Sequence, residues 1–276
     1  RTLQELGVQA EVVPTYSARF VHWARGAQQV VMGGGPLMDV ESLDVPLAAF
    51  MLAEGRGQQR VIYGCGMGPL RKPCYQQAVA RLLQLASQAH FRDAASLAMA
   101  QEWAPASRAI AQATVQPDPA AAYVQQRAQE VAPLQLETGP YLACFLREWP
   151  ATYGQATGAD AAAFAAQRQQ MEATLAAVIR TLADAQGLSV AFFSMHTFTV
   201  GGDDRAFYRR FLRTYFPETL EAEHGCLQRG SYLPGGLYFP RQPSSVDGTI
   251  AAMKGARMCL TMRFHSIVFA HTLEIG

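Results

Sequence analysis

The sequence predicts an α/β protein built on parallel sheets, and three observations carry that expectation. Short apolar runs end in glycine-rich segments. Stretches with helical spacing of apolar residues separate these runs. The alternation occurs twice along 276 residues, on either side of a stretch rich in proline. Strand, loop and helix repeated in this order form the pattern of a parallel sheet covered by helices. The length suits two domains of ordinary size. Half the residues are hydrophobic and 16% are charged, which is enough to build a core and excludes a disordered polymer.

The first half opens with Gln29-Val30-Val31-Met32 running into Gly33-Gly34-Gly35. Arg60-Val61-Ile62-Tyr63 then runs into Gly64-Cys65-Gly66-Met67-Gly68. Both read as buried strands followed by loops where the backbone turns tightly or meets a ligand. Pro46 to Glu54 reads as a helix opened by proline. Tyr75 to His90 reads as another, with Val79, Leu82, Leu83 and Ala86 on one face. The stretch 104–140 carries Pro105, Pro117, Pro119, Pro133, Gly139 and Pro140, and part of it is expected to link two domains, with a helix near Ala120 to Val131.

The second half repeats the alternation. Tyr141 to Leu146 is a strand that ends at Arg147. Asp160 can cap a long helix to Gln186, with Phe164, Met171, Leu175, Val178, Ile179 and Leu182 as its buried stripe and Gly187 as its stop. Leu188 to Ser194 is a strand. Asp203-Asp204 opens a helix with Phe207, Phe211, Leu212, Tyr215 and Phe216 inward and Arg205, Arg209, Arg210 and Arg213 outward, the two carboxylates suiting the helix dipole. Ser245 or Asp247 caps the next helix. Met258 to Met262 is a strand, and a helix starts at Phe264. The expected domains are 1–132 and 133–276, the first lacking its start and the second its end, because Arg1 falls in mid-domain and Gly276 follows directly on an apolar helix.

Bulk properties exclude several function classes. The formal net charge of +1 names neither a nucleic acid nor an anionic membrane as partner. No run approaches the ~18 apolar residues of a membrane-spanning helix, and no secretory signal is visible. Cys65, Cys74, Cys144, Cys226 and Cys259 are odd in number and widely spaced, with no C-x-x-C pair, which argues against a disulfide framework and a zinc site and for a reducing cytoplasm. No set of ligands stands at metal spacing, and no metal or cofactor is expected. Only Lys72 and Lys254 are lysines, so an anion site here is made of guanidinium groups, whose planar fork matches carboxylate and phosphate.

In open α/β sheets ligands sit at the carboxyl ends of strands, which directs attention to the segments after Met32, Tyr63, Leu146, Ser194 and Met262. Met262-Arg263-Phe264-His265-Ser266 is the strongest constellation. A cation and an imidazole lie two residues apart where a strand hands over to a helix, whose first amides favour an anion. Two readings stay open there: an anion cradle with a titratable neighbour, or a structural ion pair beside a helix-start histidine. Arg147 either faces the same cleft or pairs with Glu148 at the surface. The glycine loops supply Gly34, Gly35 and Gly66 as close-approach points, but neither loop is a dinucleotide or Walker fingerprint. Arg92-Asp93 followed by Ser96 reads first as a helix cap, and Asp118 between two prolines as a turn residue. His196, just beyond a strand, can line the cleft. His22, His90, His224 and His271 have no such placement.

Taken in order, the segments Gly33 to Asp39, Tyr63 to Leu70, Arg92 to Ser96, the prolines around Asp118, the strand ending in Arg147, the Asp203-Asp204 helix start and Met262 to Ala270 resemble the polysaccharide pyruvyl transferase family. The last, Met-Arg-Phe-His followed by an apolar helix, is the most specific. An upstream Asn-x-Gly-Asp type element, a more usual Gly-x-Gly start at Tyr63-Gly64-Cys65-Gly66, and a strand and helix after the last motif are family features that this sequence lacks.

The resemblance implies two Rossmann-like lobes in the glycosyltransferase-B arrangement with the site in the interlobe cleft. It implies an enzyme that takes phosphoenolpyruvate as donor and forms a pyruvate ketal on a sugar hydroxyl pair, in bacterial exopolysaccharide or cell-envelope biosynthesis. His265 and Arg263 are then catalytic, and Arg147, Gly34, Gly35, Gly66, Arg92, Asp93, His196 and Ser266 bind substrate. Donor and carbohydrate acceptor, as glycan or lipid-linked oligosaccharide, are the expected partners. A cytoplasmic place follows, at most peripheral to the inner face of the membrane. Two alternatives remain at this point: a nucleotide-sugar glycosyltransferase of the same architecture, and a non-catalytic carbohydrate-binding homologue.

Overall fold

A computed structural model describes residues 9–38, 43–150, 160–197, 202–217, 228–230, 233–240 and 245–275. Asp39, His224 and Cys226, named above, lie outside these residues. The chain divides into two compact units, 1–119 and 120–276. Each is an α/β unit with its own predominantly parallel sheet, as expected from the alternation of strands and helices.

The first unit runs α1 (Ala18–Gly26), β1 (Gln29–Gly33), β2 (Pro36–Leu37), α2 (Asp44–Glu54), β3 (Gln59–Met67), α3 (Pro73–Leu85), β4 (Gln88–Phe91), α4 (Ala94–Trp103), α5 (Arg108–Ala111) and β5 (Thr114–Val115). The strands pair in parallel in the order β1-β3-β4-β5, and β2 adds to β3 beyond the end of β1. Phe50, Ile62, Val79, Leu82, Leu83, Phe91 and Ile110 form a buried cluster. β1 is not the buried strand expected: its residues alternate between exposed and half-buried, with Val31 50% exposed, and Tyr63 on β3 is 40% exposed.

Two further expectations change here. His90 is not in a helix: α3 stops at Leu85, and His90 lies in β4. Ala86 leaves helical geometry, and the Ser87 amide donates to the Arg60 carbonyl at 2.8 Å, which starts the parallel ladder instead. The segment after Tyr63 is not a loop either. A positive φ of 66° at Gly64 makes one irregularity, and β3 then continues to Met67. Partners explain the extension: Gly66 and Met67 pair with Pro36 and Leu37.

The second unit carries α6 (Pro119–Ala128), β6 (Tyr141–Phe145), α7 (Ala161–Gln186), β7 (Ser189–Phe192), α8 (Asp204–Tyr215), β8 (Gln228–Gly230), β9 (Leu233–Tyr238), α9 (Val246–Gly255), β10 (Met258–Thr261) and α10 (Phe264–Thr272). The sheet order is β10-β6-β7-β9-β8; among the described residues β8 pairs antiparallel with β9 and the other pairs are parallel. The side chains of β6 alternate between two cores. Leu142 and Cys144 join Ile179, Val190, Phe192, Phe207 and Phe211, while Tyr141, Ala143 and Phe145 join Val124, Ile250, Met253 and Phe269. Burial on both faces is why this strand reads as an unbroken apolar run.

The long helix follows its signals: Asp160 accepts from the Ala163 amide at 2.7 Å, and Gly187 ends the helix in left-handed geometry. Its buried stripe is rotated from expectation. Val178 is 39% exposed, and Glu172 takes a buried position against Arg210, at 2.8 and 2.7 Å. Two of the expected outward arginines of α8 are likewise engaged. Arg210 holds Glu172, and Arg205 stacks over Phe239 and donates to the Pro240 carbonyl at 2.7 Å. Ser245, not Asp247, caps α9; the Asp247 carboxylate pairs with Arg127.

Candidate functional site

The carboxyl ends of β6, β7 and β10 gather most of the charged candidates of the second unit. Phe145 of β6 pairs with Thr261 of β10, and the Met262 amide donates to the Phe145 carbonyl at 2.9 Å. Arg147 and Arg263 each follow two residues beyond that register, at the ends of neighbouring strands. Arg263 is the extended N-cap residue of α10 and gives no side-chain cap. Ser266 is fully buried and its hydroxyl donates to the Arg263 carbonyl at 2.6 Å. His265 is exposed on the first turn, edge-to-face with Phe264 at 5.5 Å, and no other protein group among the described residues holds its ring. The arrangement combines uncapped first amides of a helix, a guanidinium at its entry and an exposed imidazole.

Arg263 forms an ion pair, which is one of the two readings the sequence left open. Its Nε donates to Asp204 Oδ1 at 3.0 Å, its Nη2 binds the same oxygen, and Nη2 reaches the Gly202 carbonyl at 3.0 Å. Asp204 is 1% exposed. Its Oδ2 accepts from the amides of Met195 at 3.1 Å and His196 at 2.9 Å. The adjacent aspartates therefore divide their work. Asp203 caps α8 by accepting from Arg205 and Ala206, and Asp204 ties the segment after β7 to the start of α10. His196 is held through its backbone, its carbonyl accepting from the Asp204 amide at 2.9 Å.

Tyr208 fixes the two central strand ends. Its hydroxyl accepts from the Leu146 amide at 2.7 Å, and the nearest carbonyl to receive its proton is that of Phe193 at 2.9 Å. Burial pushes this phenol well above its ordinary range, with the nearby Asp204 charge adding to the shift, so it stays neutral. Arg147 is half-buried, its Nε 3.4 Å from the Glu148 carbonyl. The Glu148 carboxylate pairs with Arg168 and Arg210, each at 3.1 Å.

The remaining candidates cluster at the corresponding strand ends of the first unit. Gly34 and Gly35 adopt positive φ of 68° and 77° and redirect the chain from β1 into β2. Gly34 donates to the Tyr63 carbonyl at 2.9 Å, and the Gly35 carbonyl accepts from Gly66 at 3.2 Å. Gly34 also borders an apolar groove of about 520 Å³ that includes Phe20, Val30, Met32 and Phe50. Gly66 makes room for Arg92: a Cβ there would lie 2.4 Å from its Nε. Arg92 stands 3.7 Å from Asp118 and 3.9 Å from Asp93. Asp93 caps α4 by accepting from Ser96 at 2.7 Å, and the Ser96 hydroxyl accepts from the Met67 amide at 2.8 Å.

Sequence reasoning missed Asp204, Tyr208 and Glu172 as organisers. One signal was present: a helix start needs one capping side chain, so the second aspartate of the pair was surplus to capping. Nothing local marks a tyrosine among phenylalanines as a bridge between strands. Among the described residues no group of three or more His, Cys, Asp or Glu side chains is placed to hold a metal. Among the same residues no helix is long and apolar enough to cross a membrane.

Two α/β units built on predominantly parallel sheets are consistent with a Rossmann-like protein. The family model for polysaccharide pyruvyl transferase matches residues 1–275, and the chain belongs to that family. The chain is thus a member of a transferase family, and the family implies a carbohydrate acceptor. No curated protein matches the chain.

Proposed function

We propose that the protein transfers the enolpyruvyl unit of phosphoenolpyruvate to a hydroxyl pair of a sugar and forms a pyruvate ketal. The observation that carries this reading is the placement of Arg147 and Arg263 two residues beyond the paired Phe145 and Thr261, with His265 exposed one residue into α10. Phosphoenolpyruvate holds a phosphate and a carboxylate close together. Two guanidinium groups on neighbouring strand ends and the N-terminal end of α10 suit such a dianion.

In the proposed reaction a proton is delivered to the methylene carbon of the donor, which makes C2 electrophilic. A sugar hydroxyl attacks C2 and loses its proton. The C2–O bond to phosphate breaks, phosphate leaves, and a second hydroxyl closes the ketal. One hydroxyl proton balances the proton placed on carbon, and the other leaves with phosphate. His265 is assigned to give and take these protons, since an imidazole nitrogen can serve as both general acid and general base. Arg147 and Arg263 hold the donor. In the same proposal Gly34, Gly35, Gly66, Arg92, Asp93 and His196 line the substrate-binding surfaces, while Ser266 sets the turn that presents His265.

Calorimetric titration with phosphoenolpyruvate, with uridine diphosphate as control, tests the reading. Saturable donor binding that weakens in Arg147→Ala and Arg263→Ala is expected, together with phosphate release when a suitable sugar is added. Binding of the nucleotide alone would overturn it.

A further inference from the structure

We propose that Asp204 is a positioning residue that aims Arg263 at the anionic donor; the donor's identity rests on the reading above. The carboxylate is 1% exposed, and its bonds leave the helix it belongs to. Asp203 already caps α8, so Asp204 does nothing for the amides of that helix. Its Oδ2 accepts from Met195 and His196, at the end of β7, and its Oδ1 accepts from Arg263, at the end of β10. A buried carboxylate needs such partners, and these satisfy it.

The consequence lies in the third guanidinium nitrogen. Nε and Nη2 are committed to Asp204 and to the Gly202 carbonyl. Nη1 has no protein partner among the described residues, and it is not among the buried atoms left without one. A guanidinium is planar and rigid, so fixing two nitrogens fixes the direction of the third. Asp204 therefore holds one edge of Arg263 and leaves Nη1, at the residue that enters α10, for another partner. A purely structural ion pair would give no role to that remaining edge.

The test measures binding of inorganic phosphate and of phosphoenolpyruvate to the full chain, to Asp204→Asn, to Arg263→Ala and to the double variant. Phosphate release in the presence of sugar acceptors and thermal midpoints are measured alongside. Asparagine keeps the shape and can still accept from Met195 and His196, but it turns donors toward the guanidinium, which must then leave its orientation. Binding is expected to weaken roughly tenfold or more in Asp204→Asn, by analogy with the loss when a group that orients a metal ligand is removed. The double variant is expected to bind no worse than Arg263→Ala, because one residue acts through the other.

Wild-type affinity in Asp204→Asn, or additive losses in the double variant, would overturn the proposal. If Asp204→Asn does not fold, Arg263→Lys tests the same point. A single ammonium held by Asp204 has no second edge to offer, so its phosphate binding should fall to the level of Arg263→Ala, and retained binding would overturn the idea. Coupled loss of phosphate binding in a protein that transfers no pyruvyl group would sink the functional reading and leave the positioning role standing. A wild-type protein that binds neither anion would end both.

Discussion

His265 is exposed, and among the described residues its ring contacts only the adjacent Phe264, so its removal separates chemistry from folding. His265→Ala is expected to lower the rate of phosphate release by ~10² to 10⁴, the usual worth of a positioned acid–base group, with donor affinity and thermal midpoint unchanged. Full turnover in that variant would remove the imidazole from the mechanism. The cysteines offer a second residue-scale test. Burial pushes the Cys65 thiol up to about 11, and its Sγ lies 3.1 Å from the Gly34 carbonyl, whereas Cys74 is exposed. At pH 8 the Cys65 thiol is therefore held almost wholly in its neutral form. Alkylation followed by mass spectrometry should modify Cys74 quickly and spare Cys65 in the folded protein. The sign for stability follows from the raised value: folding favours the neutral thiol, so this contribution is full below the unfolded thiol's range and fades as pH climbs through about 11. The residues themselves show what was legible. Arg263 and His265 stood out because a cation and an imidazole met a strand-to-helix junction. Asp204 did not, because its partner lies 59 positions away.

Elements were legible where a local signal decided them and blurred where a neighbour did. The limits of α7 followed from Asp160 and Gly187, whose side chain and backbone freedom act on their own helix. The end of β3 depended on Pro36 and Leu37, which supply the ladder that carries the strand through Gly66. Two glycines on these elements should behave differently when given a methyl group. In Gly255→Ala the new Cβ would sit 1.9 Å from the Leu134 carbonyl oxygen, a backbone atom, at the end of α9. A loss of about 1–3 kcal/mol or more is expected from such overpacking, read by urea denaturation. In Gly66→Ala the clash is with the movable guanidinium of Arg92, at 2.4 Å from Nε. The loss of stability should be smaller, and the main effect should be displacement of Arg92 from Asp118, read as weaker binding of whichever substrate these residues contact. Equal destabilisation of the two variants would show that Arg92 is as rigid as backbone.

At the scale of the whole molecule, each unit has its own sheet and its own buried clusters. Phe50 is fully buried in the first. Phe50→Ala should cost about 3–5 kcal/mol of that unit's stability, the usual range for a large aromatic core truncation. Hydrogen exchange should record the loss in β1, β3 and β4, with β6 and β7 keeping their protection. Uniform loss through both sheets would mean that the two cores unfold together. The sequence by itself determined the α/β class, the two rounds of alternation, the limits of α7 and the family, because apolar periodicity, caps and short motifs act over a few residues and need no partner. Only the tertiary structure decided that β3 runs through its glycines, that Glu172 is buried against Arg210, that Tyr208 bridges two strand ends and that Asp204 holds Arg263. Each depends on groups far apart in sequence, whose pairing energy exists only once the sheets bring them into contact and remove the water between them.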